Sequence, residues 1–437
     1  MTDLTQAPAL VRAAVDALDL AFSGDGAPTP FAAQRQSART TFETLGLPTT
    51  KDEAWKYTDL RPALEPDYRL ADPSRQLDAS ALDGFAVADF DAARVVLVNG
   101  RFDVSLSDLS GLPDRIQVGS LREAMLTNGD ALAAHFGRHV DVQRDAFAAL
   151  NASFGLDGLY LHVPRGVAVE RPIHVVHVTT ADSPTFVQSR HLIVVEEVAQ
   201  ATVLETFHVI GASATFRNEL TEIVAGAQAN VEHVRIQDEG DAANGVSMVH
   251  VHQERDSTVE TLVFTFASGT VRNNMVMVPG GEGCQSTLGG LYICRGDQHV
   301  DTSTLVDHVA PACQSNELFK GIVYEKSTGV FNGKVYVHRA AQQTNAYQQS
   351  QGVVLSPDAH HYSKPELEIY ADDVQCSHGS TTGSVEPEHV FYLRSRGVSE
   401  ADARAMLLYA FAHDVVEMVS REPLRDHLDA LIAERLK

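Results

Sequence analysis

A chain of 437 residues exceeds what one compact core usually holds, so either several domains or an elongated fold is expected. Its 44% apolar and 21% charged residues are those of a globular protein rather than a disordered one. A net charge of −24 argues against a nucleic-acid binder, which needs a basic surface, and against docking to an anionic membrane.

The N-terminus has no basic start followed by an apolar run, and no window reaches the roughly 20 apolar residues of a membrane span. A cytoplasmic location is the expectation. Residues 1 to about 48 read as helical. Apolar residues recur at three- and four-residue intervals through ALVRAAVDALDLAF, turn residues follow at Gly24 to Pro30, and a second helix is expected over Phe31 to Leu45. Trp55-Lys56-Tyr57 reads as an aromatic staple fixing this region to a core. RVVLVNGRFDVSLS predicts two strands around Asn99-Gly100, a strong hairpin signal. Ser120 suits the cap of a helix through Leu121 to Met125, with more helix across Asp130 to Ala149. These features define an expected helical and mixed N-terminal domain, residues 1–150.

From about residue 158 the texture changes. Runs such as IHVVHV, HLIVV, TLVFTF, LYICR and KVYVH follow one another with almost no helical period up to residue 387. More than two hundred residues of short strands exclude a doubly wound α/β fold. Similar strand–turn units without a strict period favour a β-solenoid over a sandwich, placing the core at 151–387. Residues 388–437 return to helix. Ser399 with Asp402 three residues on resembles a capping box. Ala403, Met406, Leu407, Ala410, Phe411 and Val415 then form an apolar stripe, expected to pack on the end of the solenoid.

The four cysteines include no Cys-x-x-Cys, which argues against a zinc knuckle. Cys284, Cys294 and Cys313 lie in apolar or strand-like runs and read as buried small hydrophobes. His299, Asp301, Asp307 and His308 are metal-capable but sit where polar residues line an outer strand face. His360 and His361, adjacent on a strand, should face opposite ways. There is no GxxxxGK[ST] loop, so ATP hydrolysis by this chain is not expected.

The most informative stretch is KPELEIYADDVQCSHGSTTG, residues 364–383. A strand ends at an Asp372-Asp373 turn. Cys376 and His378 follow, two apart, so an extended backbone sets thiol and imidazole on one face. These groups bind iron, zinc and copper. Glu388 to Arg396 reads as a helix closed by Gly397.

This stretch with FYLRSRG, and DEAWKYTDL upstream, resembles the SufD family of the SufB/SufD superfamily. Cys376-Ser377-His378-Gly379 separates the resemblance from the sister SufB proteins. The resemblance implies a mainly β fold: a right-handed parallel β-helix flanked by N-terminal and C-terminal helical segments. It implies a non-catalytic scaffold subunit of the Suf iron–sulfur cluster assembly complex, paired with SufB and bound to the SufC ATPase. His378, with Cys376 beside it, would contribute to a transient cluster or iron shared with SufB, none being held stably by the isolated chain. The C-terminal helix, through Ala403, Met406, Leu407, Ala410 and Phe411, would dock SufC. Whether the chain also forms a homodimer when isolated is left open. The alternative from another class is a β-helix polysaccharide lyase or hydrolase, which needs carboxylates or basic groups along a groove.

Overall fold

The computed structural model describes residues 8–22, 31–72 and 74–436. The expected turn at Gly24 to Pro30 lies outside these. The chain starts with helices α1 (Ala9–Phe22), α2 (Ala32–Leu45) and the short α3 (Arg61–Leu64). Strands β1 (Arg69–Leu70), β2 (Ala93–Val98), β3 (Arg101–Phe102) and β4 (Gln117–Ser120) follow. Next come helices α4 (Leu121–Thr127), α5 (Gly129–Leu132) and α6 (Ala146–Phe154). Then strands run without an intervening helix: β5 (Leu159–Val163), β6 (Ile173–Ala181), β7 (Thr185–Val195), β8 (Gln200–Gly211), β9 (Thr215–Ala225) and β10 (Asn230–Asp238). They continue as β11 (Ala243–Gln253), β12 (Thr258–Ala267), β13 (Thr270–Pro279), β14 (Gln285–Cys294) and β15 (His299–His308). The last are β16 (Gln314–Val323), β17 (Thr328–Val337), β18 (Thr344–Val354), β19 (His360–Ile369) and β20 (Val374–Gly383). Helices α7 (Pro387–Ser395), α8 (Glu400–Val416) and α9 (Glu422–Arg435) close the chain.

Alternate strands fall into two sheets. One runs β19-β17-β15-β13-β11-β9-β7-β5-β4, and the other β20-β18-β16-β14-β12-β10-β8-β6-β2-β3. Pairing is parallel throughout except at β2/β3 and β4/β5. The result is a parallel β-solenoid of about seven turns, mainly β, with helices at both ends of the chain. The sheets cross the boundary expected at residue 150. β2 pairs in parallel with β6 and β4 with β5, so the solenoid recruits strands from before the long strand run.

Period-2 alternation decides what each strand buries. In β12, Val259 and Val263 enter the solenoid interior while Leu262 and Phe264 face outward. Both outer faces therefore need cover. On the first sheet, Phe186, Phe216, Leu220, Val246 and Met248 lie under α1, α2 and α6, with Phe42, Phe147, Leu150 and Phe154 packed on them. Trp55 joins this cluster, with the Arg272 guanidinium 4.2 Å from its ring centre, as the staple reading requires. On the second sheet, Leu204, Val234, Leu262, Phe264, Leu291 and Ile322 lie under α8 and α9.

That last contact corrects two expectations. The C-terminal helices cover an outer face of the solenoid, not its end, because the outward rows of β8 to β16 are apolar while the last strand is not. The inward stripe of α8 is Ala403, Leu408, Ala412, Val415 and Val416, whereas Met406 is exposed. The cap itself is as expected, with the Ser399 hydroxyl accepting from the Asp402 N–H at 3.1 Å. Asn99 and Gly100 both have positive φ and close the β2/β3 hairpin. Ser120 caps α4 through the Glu123 N–H. The helix expected across Asp130 to Ala149 is broken after Leu132 and resumes at Ala146, where Asp145 accepts from Phe147 and Ala148 N–H groups.

Leu428 of α9 is fully buried against the second sheet. Leu428→Ala should lower unfolding free energy by about 2–5 kcal/mol in denaturant titration. A value near zero would mean that α9 is not docked on the solenoid.

Candidate functional site

Cys376 and His378 lie on β20, the terminal strand of its sheet. One side of β20 pairs with β18; the other side has no strand partner among the described residues. The register sets Ala346 beside Cys376 and Gln348 beside His378. Ala346 belongs to the interior cluster, and Cys376 packs half-buried against that cluster. Cys376 and His378 therefore share the inward face of the last rung, as their spacing predicts. No further coil covers this rung, so His378 is exposed, and no hydrogen bond or ion pair to a described residue holds its ring. Burial pushes the Cys376 thiol above its ordinary pKa, so it stays protonated near neutrality.

The inward row that ends at His378 is long. Adjacent strands align His233, Thr261, Leu288, Glu317, Gln348 and His378 side by side. Glu317 is buried, accepting from the Thr304 hydroxyl at 2.6 Å and from Gln348 Nε2 at 2.9 Å. Burial raises its pKa to about 7 against these two hydrogen bonds. Sequence reading missed Glu317 and Gln348. The signal was present, since they precede His378 by two and one solenoid turns of about thirty residues each.

A cleft of about 450 Å³ runs along β16, β18 and β20, lined by Asn316, Glu317, Leu318, Tyr347, Gln348, Gln349, Ser377, His378, Gly379 and Met418. Phe391 and Tyr392 of α7 are exposed just after β20. On α8, Ala403 is fully buried and offers no surface to a partner, while Leu407 and Phe411 are half-buried and Met406 and Ala410 are exposed.

The other metal-capable residues are engaged in the fold. Asp301 pairs with Arg272 and accepts from Thr58, and Thr58 also bonds His299 at 2.9 Å. Asp307 bonds His338 at 2.9 Å, and His308 bonds Ser315 at 2.9 Å. His361 points inward to Thr382 and lies away from Cys376; His360 faces the other way. Cys284, Cys294 and Cys313 are buried free thiols.

A buried group of metal-capable residues that sequence reading did not find lies deep in the solenoid: His177, His191, Glu205 and Glu219. Its hydrogen bonds do not fit a metal. His191 Nδ1 accepts the Leu159 N–H at 2.8 Å, so a neutral ring carries its proton on Nε2, the atom facing Glu219. Glu205 accepts from His177 at 2.8 Å and His233 at 2.5 Å. Glu219 is paired with both Arg217 and Arg235. Burial alone would raise the pKa of Glu205, but the Arg235 charge and the two imidazole hydrogen bonds hold it well below the usual range. The group is an ion-pair network filling a polar section of the interior.

Comparison with known proteins bears on what an open end carrying Cys376 and His378 serves. The SUF system FeS cluster assembly SufBD core domain matches residues 177–411, and the SufBD protein N-terminal region matches residues 23–175. The chain belongs to the SufBD family. It is 34% identical over 412 residues to an iron–sulfur cluster assembly SufBD family protein of Synechocystis, covering 92% of this chain and 90% of that one. It is 30% identical over 395 residues to the iron–sulfur cluster assembly protein SufD of Escherichia coli, covering 90% of each. It is 27% identical over 305 residues to SufD of Bacillus subtilis, covering 68% of each. This membership supports a role in the SUF system and displaces the glycan-active alternative. No helix among the described residues is long and apolar enough to cross a membrane.

The raised pKa of Glu317 gives this SufBD-family chain a pH signature. Its folded pKa exceeds the unfolded value near 4.5, so ionisation disfavours the folded state. Stability should fall as pH rises from about 4.5 to about 7 and then level off. Glu317→Gln removes this loss. The variant should be more stable than wild type by about 1–3 kcal/mol at pH 8 and show little gain near pH 4.5. A pH-independent difference between the two in thermal melts would contradict the assignment.

Proposed function

We propose that this chain is a non-catalytic scaffold subunit of a cytoplasmic Suf complex. It pairs through the open end of its solenoid with SufB, and a cluster or iron is assembled at that junction as cargo. The observation that carries this reading is the coincidence of Cys376 and His378 with the unpaired edge strand β20. An unpaired edge is a template for another strand. Two donors at such an edge make half of the roughly four protein ligands that a cluster takes, and a partner's edge supplies the rest. His378 is the principal donor because it is exposed and free of bonds to the described residues, with Cys376 beside it. The isolated chain, with half a shell, holds no stable cluster.

The SufC ATPase docks on the outer side of α8. Met406, Leu407, Ala410 and Phe411 are the contact residues in this reading. Ala403, turned inward, supports the helix instead. The sequence has no phosphate-binding loop, so the nucleotide chemistry belongs to that partner.

His378→Ala in the complex co-expressed with SufB and SufC should sharply reduce iron and sulfide after anaerobic purification. The melting temperature of the isolated chain should stay within about 1 °C, since an exposed, unbonded side chain carries little stability. Cys376→Ala should act in the same direction but more mildly. A normal cluster yield from the His378→Ala complex would remove the site.

A further inference from the structure

The row that ends at His378 leaves one polar atom unexplained. Gln348 is 2% exposed, and its Nε2 donates to Glu317. Its Oε1 is buried and has no hydrogen-bond partner among the described residues. A buried carbonyl oxygen without a donor is costly, and such atoms are rare in native proteins. The amide is held in place from two sides. Glu317 fixes its nitrogen, and Gly333 of the facing sheet makes room for it. A Cβ at residue 333 would lie 2.5 Å from Gln348 Nε2. The next rung, on the side away from Glu317, carries His378. That ring has two nitrogens and no bond to any described residue.

We propose that Gln348 is a positioning residue for His378, its Oε1 accepting one ring N–H so that the other nitrogen presents its lone pair through the open end. The inference rests on the proposed role of His378 as a donor to iron or a cluster. A ligating histidine generally gives its second N–H to a carbonyl or carboxylate, which fixes the tautomer and the ring plane. Glu317 acts one rung deeper. By accepting from Gln348 Nε2 it turns Oε1 toward the rung of His378. The three residues form a relay of orientation in which only His378 touches the cargo.

The test uses the full chain labelled with ¹⁵N-histidine at pH 8, with the His378 signals assigned from a His378→Gln sample. Two-bond ¹⁵N–¹H correlations report the ratio of the two ring tautomers. Gln348→Met keeps the shape of the side chain and removes the acceptor. It should shift the tautomer ratio of His378 by about fivefold, the equivalent of one ordinary hydrogen bond. In the complex with SufB and SufC, the same variant should lower iron and sulfide content about tenfold, as loss of an outer partner of a ligating histidine does. If Gln348→Met folds poorly, Gly333→Ala moves the amide without altering residue 348 and should shift the ratio the same way. An unchanged tautomer ratio overturns the proposal even if cluster content falls, since the loss would then be structural. A shifted ratio with full cluster content upholds the contact between Gln348 and His378 and instead overturns the role of His378 as a ligand.

Discussion

Parallel, in-register stacking governs this molecule. Each inward residue sits one strand spacing, about 4.8 Å, from the residue about thirty positions later. Chemistry that is scattered along the chain thereby becomes contiguous rows inside the solenoid. One such row carries His233, Thr261, Leu288, Glu317, Gln348 and His378. A substitution anywhere in a row is felt by its two neighbours and hardly at all elsewhere, because each coil contacts only the next.

The same constraint explains how a polar interior survives. Near the strand junction the rows are Val, Ile, Leu and Ala and need nothing further. Towards the middle they carry Glu205, Glu219, Arg217, Arg235, His177 and His233, all buried. Isolated, each charge would be very costly in such a place. Stacking brings opposite charges onto adjacent or facing rungs, so Glu219 meets two guanidinium groups and Glu205 two imidazoles. Such a network adds less to net stability than an apolar core of equal volume would. It closes on itself, and this is why its four metal-capable residues are not a metal site. His378 at β20 differs in one respect: no bond to a described residue holds its ring.

Much of this was legible in the sequence. The change of texture near residue 158 marked the solenoid, the Ser120 and Ser399 caps fell where their side chains demand, and Cys376 and His378 share a face because extended residues two apart must. What escaped was relational. The stripe on α8 was read about one residue, roughly a quarter of a turn, off because both Leu407 and Leu408, and both Phe411 and Ala412, are apolar. Only the shape of the second sheet selects Leu408 and Ala412. His308 was taken for an outer-face residue, yet the parity of β15 sends it inward to Ser315. Glu317 and Gln348 carry no motif at all. They become visible only once the thirty-residue offset is known, and turns of unequal length between strands blur that offset.

The composition of the last rung shows how the fold treats its own end. Interior rungs carry Val, Phe and Leu to fill the space between the sheets. β20 reads VQCSHGSTTG, small and polar beyond Val374 and Cys376. With no coil above it, bulky apolar side chains there would form a sticky patch on an open sheet edge, the usual route to indiscriminate strand addition. Small hydroxyl-bearing residues avoid that while leaving the backbone N–H and C=O groups of the edge unpaired. In the proposed reading, specific pairing depends on a partner whose edge matches in register and whose side chains answer those on this one. The imidazole of His378, which no described residue bonds, stands at this edge beside the half-buried thiol of Cys376. A donor set that is complete within one chain would need no such edge. In the proposed reading, the edge stays open because a second surface closes over it and completes the donor set begun by Cys376 and His378.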